Sequence, residues 1–147
     1  MKILSELTKD ASISVPRLSK KLNINASVLY SRIKRLSKKG LIRKFTIAVN
    51  DEMLGINIKA IIGINRDPKL KGSIHTELLN IPEVRLISEV TGRFDILVTV
   101  NARTLEELHG VVIEKVGKID GVQNTETFVE MQRTEKEPYY AQPLLAR

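Results

Sequence analysis

The chain contains no cysteine. That excludes disulfides, thiol nucleophiles and cysteine-ligated zinc or iron–sulfur centres. Only 2 of the 147 residues are histidine, so a histidine-built metal centre is not expected either. Tryptophan is absent and aromatics make up 4%, too few for the stacking platform of an RNA-recognition sheet. No apolar run approaches the roughly 18–20 residues that span a bilayer. The N-terminal "MKILSELTKD" lacks the apolar core and small-residue cleavage site of a signal peptide. A cytoplasmic protein with no membrane partner is expected. The last scarcity is local: residues 1–50 hold 2 Asp/Glu against 12 Lys/Arg, a net of +10, whereas residues 51–147 hold 15 against 12, a net of −3. A basic head on a mildly acidic body suggests a polyanionic partner for the head.

Within the head, Ile3, Leu4 and Leu7 stand at helical spacing. Ser14 suits the N-cap of a second helix, with Pro16 in its first turn and Leu18 and Leu22 facing inward. "NIN" at 23–25 breaks that helix, Asn25 caps a third, and Gly40 ends it as a C-cap. Two short helices joined by a tight turn make a helix-turn-helix. "LIRKFTIAV" at 41–49 alternates apolar and polar residues and predicts a small strand, or wing. On the third helix, Val28, Leu29, Ile33 and Leu36 are expected on the inner side. Ser27, Tyr30, Ser31, Lys34 and Lys38 fall outside, flanked by Arg32 and Arg35, with no acid among them. Cations suit phosphates, and hydroxyls, Tyr and Arg suit base edges in a major groove. A merely solvated helix would interleave acids. The candidate contacts to double-stranded DNA are Asn25, Ser27, Tyr30, Ser31, Arg32, Lys34, Arg35 and Lys38, with Arg43 and Lys44 reaching the adjacent backbone.

After the polar joint "NDEMLG", the body matches itself at an offset of 38: Ile58 with Ile96, Ile62 with Val100, Ile74 with Val112, Leu78 with Val116, Ile81 with Ile119, and Val84 with Val122. Each half reads strand, helix, strand, so the pair gives βαββαβ, the ferredoxin-like arrangement. Strands are predicted near 57–65, 84–91, 94–101 and 121–131, and helices near 70–80 and 104–118. The fold class is α+β: a winged helix-turn-helix over 1–50, a hinge at 51–56, a ferredoxin-like domain at 57–132 and a tail at 133–147. Both helices should cover the sheet face of Ile58, Ala60, Ile62, Ile96, Val98 and Val100. The opposite face, expected to carry Ile61, Ile87, Leu97 and Val129, is too apolar to stay in water. A second copy of the chain is the economical cover, and a two-fold dimer presents two heads to a pseudo-palindromic site.

Three stretches together resemble the Lrp/AsnC family of bacterial and archaeal transcription regulators, also called feast/famine regulators. They are "VLYSRIKRLSKKGLIRKFTIAVN", "LGINIKAIIGI" and "IPEVRLISEVTGRFDILVTV", whose "TG-x-(Tyr/Phe)-Asp" turn enters the third body strand. With "IDGVQNTETFVE" the resemblance covers residues 1 to about 132. It implies homodimers, assembling into tetramers or octamers, and a small effector, usually an amino acid, bound between subunits near that turn. The implied effector contacts are Thr91, Gly92, Arg93, Phe94 and Asp95, with the threonine pair Thr125 and Thr127. Residue parity puts Asp95, Thr125 and Thr127 on the sheet face away from the helices. Chemically, Gly92 lets backbone amides approach a carboxylate, and Asp95 suits an α-ammonium unless it caps the turn or pairs with Arg93. Phe94 replaces the family's commoner tyrosine, Arg93 stands at a variable position, and the acidic segment that often precedes the first helix is missing. The tail "KEPYYAQPLLAR" reads as either an ordered arm or a frayed end.

Two other functions compete. An effector-independent architectural DNA binder would share head and assembly. An enzyme like the architecturally similar haem-pathway decarboxylases would need a histidine-bearing pocket, and His75 and His109 stand on predicted helices as expected surface residues. No Ser/His/Asp spacing, glycine-rich phosphate loop or metal-ligand cluster appears, so no catalytic residue, metal or cofactor is assigned.

Overall fold

A computed structural model describes residues 2–70, 73–138 and 140, and they form two compact units. The first comprises residues up to Ala48 together with the described residues from Thr134 on; the second runs from Val49 to Arg133. Of the tail, Tyr139 and residues 141–147 lie outside the described residues, so the choice between arm and frayed end lies there too.

The first unit contains α1 (Lys2–Lys9), α2 (Val15–Leu22) and α3 (Ala26–Lys38). Ser14 accepts from the Arg17 amide to start α2, and Pro16 occupies the first turn, where no amide partner is needed. Asn23 turns the chain in a left-handed conformation, the Ile24 amide closes back on the Ser19 carbonyl, and the Ser19 hydroxyl donates to the Ile24 carbonyl. Asn25 then caps α3, its side-chain oxygen accepting from the Ser27 amide at 2.9 Å and the Ser27 hydroxyl at 2.7 Å. The helix ends one residue before expectation, with Lys39 as the cap and Gly40 following it. Ile3, Leu18 and Leu29 are the buried centre, ringed by Leu7, Ile13, Val15, Leu22, Ile24, Ile33 and Leu36. Val28 departs from its predicted inner position and is exposed. It sits 100° around the helix from Leu29, outside the stripe of Leu29, Ile33 and Leu36.

The wing strand expected over 41–49 does not form. Its alternation is real, and Phe45 and Ile47 both face solvent. A strand also needs a partner strand for its amides and carbonyls, and among the described residues no strand pairs with this segment, whose Ile42 amide instead closes back on the Leu36 carbonyl.

The second unit begins with a short 3₁₀ turn (Asp51–Leu54) capped by Asn50. It continues through β1 (Ile58–Arg66), α4 (Ser73–Leu79), β2 (Val84–Glu89), β3 (Ile96–Ala102), α5 (Leu105–Gly110, extended by a π-helical turn over Val111–Val116) and β4 (Val122–Val129). The 38-residue offset aligns strand starts: Ile58 with Ile96, and Val84 with Val122. Thr104 caps α5 by accepting from the Glu107 amide, and Glu107 reaches back to the Arg103 amide. The sheet is antiparallel with order β2-β3-β1-β4, so β1 separates β3 from β4. Ala60, Ile62, Ile64, Ile96, Val98, Val100 and Ala102 face Ile74, Leu78, Leu108, Val111 and Val116, and all are buried.

Register corrects part of the predicted open face. Directly paired residues in an antiparallel ladder share a face. Thr99 and Phe128 pair with Ile61, and Leu97 and Glu126 pair with Gly63, so these form the open side. Ile87 pairs with Val98 and packs on the core instead. A bulge between Val84 and Leu86 shifts the parity, which lets Val84 and Ile87 look the same way. Val129 pairs with Ala60 and likewise belongs to the helix-covered side.

Candidate functional site

All ten predicted DNA contacts are exposed. Along α3 the outward cations gather without an acid: Lys34, Arg35, Lys38 and Lys39 line one open surface. Lys34 Nζ lies 5.1 Å from the centre of the Tyr30 ring, so ring and ammonium form a joint feature rather than two independent side chains. Asn25 and Ser27 are tied to each other at the helix start, which fixes the first turn of the helix. Arg43 and Lys44 lie on the extended segment after the helix. The two acids that precede α3 in the sequence are engaged around α1 and α2. Glu6 joins α1 to α2 through Lys21 at 2.7 Å, and that hydrogen bond holds its carboxyl below the usual range. Asp10 is held low likewise by the hydroxyl and amide of Ser12.

In the second unit, β2 and β3 join through a four-residue loop, Thr91–Phe94, closed by the Val90 amide donating to the Asp95 carbonyl at 3.0 Å. Gly92 sits in this loop at φ +114°, which favours glycine for backbone reasons alone. Asp95 knits the lip to β1. Its amide donates to the Ile64 carbonyl at 3.0 Å, and its carboxylate accepts from the Arg66 amide at 2.9 Å. Arg66 in turn bonds Glu89 at 3.0 Å. The bond Asp95 makes is neither the turn cap nor the Arg93 pair weighed from the sequence: its carboxylate ties the lip to the β1 backbone, and Arg93 pairs with Glu126.

Arg93 reaches Glu126 on β4 at 3.4 Å, with its guanidinium 5.6 Å from the centre of the Phe94 ring. Phe94 packs edge-to-face against Phe128, centroids 6.2 Å apart and planes at 79°. The ring lies directly on Gly63: a Cβ there would stand 2.7 Å from ring atoms. Thr125 and Thr127 do not join this cluster. They pair with Ile64 and Ile62, which puts them on the helix-covered side of β4, against the predicted shared face with Asp95. Sequence reasoning missed Gly63, Glu126 and Phe128. The available signal was an isolated glycine inside a strand, which marks a close approach.

His75 and His109 are exposed on α4 and α5. Among the described residues no group of three His, Asp or Glu is placed to hold a metal ion. Among them, too, no helix is long and apolar enough to cross a membrane.

A family model described as "Lrp/AsnC ligand binding domain" matches residues 59–140, and one described as "Winged helix-turn-helix DNA-binding" matches residues 1–43. An uncharacterised HTH-type transcriptional regulator of Pyrococcus abyssi is 37% identical over 127 residues, covering 86% of this chain and 80% of its own length. The HTH-type transcriptional regulator FL11 of Pyrococcus furiosus is 35% identical over 131 residues, covering 89% and 86%. Among solved structures, AsnC of E. coli superposes with a TM-score of 0.83 at 25% identity, covering 93% of each chain. A Neisseria meningitidis transcriptional regulator in complex with L-methionine gives 0.88 at 19% identity, covering 97% and 93%. That last likeness, at its low identity, speaks to fold.

Proposed function

This chain belongs to the Lrp/AsnC family of DNA-binding transcriptional regulators, and from that premise we propose that its DNA binding responds to a small amino-acid effector held at the Thr91–Asp95 lip. The observation that carries this reading is the lip itself. A glycine-bearing turn brings Arg93 and Phe94 onto an open sheet face, beside Ile61, Leu97 and Phe128. The N. meningitidis regulator of the same fold is described with L-methionine bound, which makes a free amino acid the first ligand class to try here. Residues 27–38 read duplex DNA with sequence preference, Arg32, Lys34, Arg35 and Lys38 taking phosphates or guanine edges and Tyr30 and the serines adding polar contacts. The apolar open face is covered by a second copy of the chain, and dimers assemble further into tetramers or octamers.

The test is a thermal-shift panel of the proteinogenic amino acids on the full chain, followed by DNA selection from random duplexes with and without any hit. A ligand present at a hundredfold excess over its Kd stabilises by about 2.7 kcal/mol, roughly 10 °C or more for a domain of this size. A hit that also changes DNA affinity supports the reading. Silence across the panel favours the effector-independent architectural binder. Equilibrium sedimentation that finds only monomer at micromolar concentration overturns the dimer.

A further inference from the structure

Of the large aliphatic residues on α3, Leu29, Ile33 and Leu36 pack into the core of the first unit, and Val28 does not. It is 43% exposed. Helical spacing places it beside Ser31, Arg32 and Arg35, which lie three, four and seven residues on and are all exposed. On an ordinary solvated surface a lone exposed aliphatic calls for no function. Val28 instead interrupts the acid-free face of hydroxyls and cations assigned above to DNA. A polar residue would suit both water and phosphate better there, and a β-branched residue is a poorer helix former than most. The position therefore costs solvation and propensity, and packing in the core of the unit does not offset that cost.

Two features fix where the side chain points. Asn25 accepts from both the amide and the hydroxyl of Ser27, at 2.9 and 2.7 Å, which sets the turn on which Val28 stands. Valine in a helix also keeps largely to one rotamer. The isopropyl group is thus a stiff apolar knob in the first turn, the end from which a recognition helix reaches base edges.

We propose that Val28 reads a thymine: its isopropyl group packs on the 5-methyl group in the major groove and selects T over C at one position of the site. This rests on the reading of residues 27–38 as sequence-preferring and adds a residue and the base it selects. Base edges present donors and acceptors to the major groove, and the thymine methyl is the apolar exception. Packing it on the isopropyl group takes apolar surface of both partners out of water. Cytosine and uracil carry only a hydrogen at that carbon and leave a gap against the knob, which forfeits those contacts. The knob is already ordered, so little side-chain freedom is lost on binding.

The experiment uses the duplex that the full wild-type chain enriches from a random pool, with each thymine replaced in turn by uracil. That change deletes the methyl group and leaves base pairing intact. One thymine, with its symmetry mate where the site is palindromic, should stand out. Uracil there should weaken wild type about fourfold, the value of one methyl group taken out of water. In Val28→Ala the same replacement should cost almost nothing, while uracil at other positions acts as in wild type. Val28→Ala should also melt no lower than wild type, because alanine is the better helix former at an exposed position. A purely structural role for Val28 gives the reverse pattern, a lower melting temperature with the uracil penalties unchanged. An enriched sequence with no uracil-sensitive thymine, or a penalty that survives Val28→Ala, overturns the inference and leaves sequence-preferring DNA binding standing. A pool in which no sequence is enriched overturns both.

Discussion

Replacing Gly63 with alanine tests how the lip is built. The added Cβ would stand 2.7 Å from two atoms of the Phe94 ring and 2.8 Å from a third, closer than side-chain carbons pack. Gly63 is buried in the middle of β1, with Leu97 and Glu126 as its partners, so the backbone is held from both sides and the ring must move. Overpacking of this kind costs about 1–3 kcal/mol. Losing the edge contact with Phe128 adds about 0.5–1.5 kcal/mol. Against this, alanine reduces the freedom of the unfolded chain and recovers about 0.5–1 kcal/mol. The net is a destabilisation of roughly 0.5–4 kcal/mol. Native-state hydrogen exchange of the β1 and β3 amides measures it in the second unit without interference from the helical first unit. The decisive comparison is the same substitution in a Phe94→Ala background. There the space over residue 63 is open, and Gly63→Ala should become neutral or mildly stabilising. An equal cost in both backgrounds would refute the idea that the glycine exists to seat the ring.

Two further substitutions report on other parts of the molecule. Lys38→Ala should reduce the log–log salt slope of binding to a mixed-sequence duplex by about 0.9, the value for one phosphate contact; an unchanged slope removes Lys38 from the interface. Glu83→Gln probes pH dependence. Burial raises the cost of ionising Glu83, but Lys115 at 2.7 and 2.9 Å outweighs it and holds the carboxyl below its ordinary value of 4.5. A depressed carboxyl contributes stability above its unfolded pKa and loses it as pH falls through the folded value. The melting-temperature gap between wild type and Glu83→Gln should therefore be largest near neutrality and shrink below pH 4.5; a gap independent of pH contradicts the assignment.

The helix-turn-helix and the order of the sheet were legible because their signals are local and redundant. Ser14 and Asn25 are caps by chemistry, and the 38-residue duplication marks both strand starts in each half. Facing was harder. Val84 and Ile87 are an odd number of residues apart, which reads as opposite faces until a bulge shifts the parity. On β4, Phe128 and Val129 are adjacent and both apolar, so either parity gives a plausible buried side. That ambiguity misplaced Thr125 and Thr127. The wing strand failed for a different reason: alternation is a property of the segment, whereas pairing is a property of its neighbours. At the lip, the turn itself was readable from "TGRFD", but its partners were not. Glu126 and Phe128 lie more than thirty residues downstream, and only the β1–β4 register brings them to Arg93 and Phe94.

The charges at the entrance of β3 thus divide into two roles, and Asp95 separates them. Its carboxylate bonds the last amide of β1, and its amide bonds the Ile64 carbonyl, so it fixes where the loop leaves the sheet. Arg93, two residues earlier, is carried on that loop and remains free to reach across to Glu126. If Asp95 is a positioning residue, what it needs is an acceptor and not a charge. Asp95→Asn keeps an oxygen for the Arg66 amide and should leave both the lip's stability and amino-acid affinity close to wild type. Asp95→Ala leaves that amide without its partner, costs about 1–3 kcal/mol, and lets Arg93 and Phe94 drift together. The readouts are exchange of the Arg66 amide and the affinity for whichever amino acid the thermal-shift panel finds. Should Asp95→Asn abolish binding while the Arg66 amide stays protected, the carboxylate itself meets the ligand's ammonium, and Asp95 is a ligand contact and not a positioning residue.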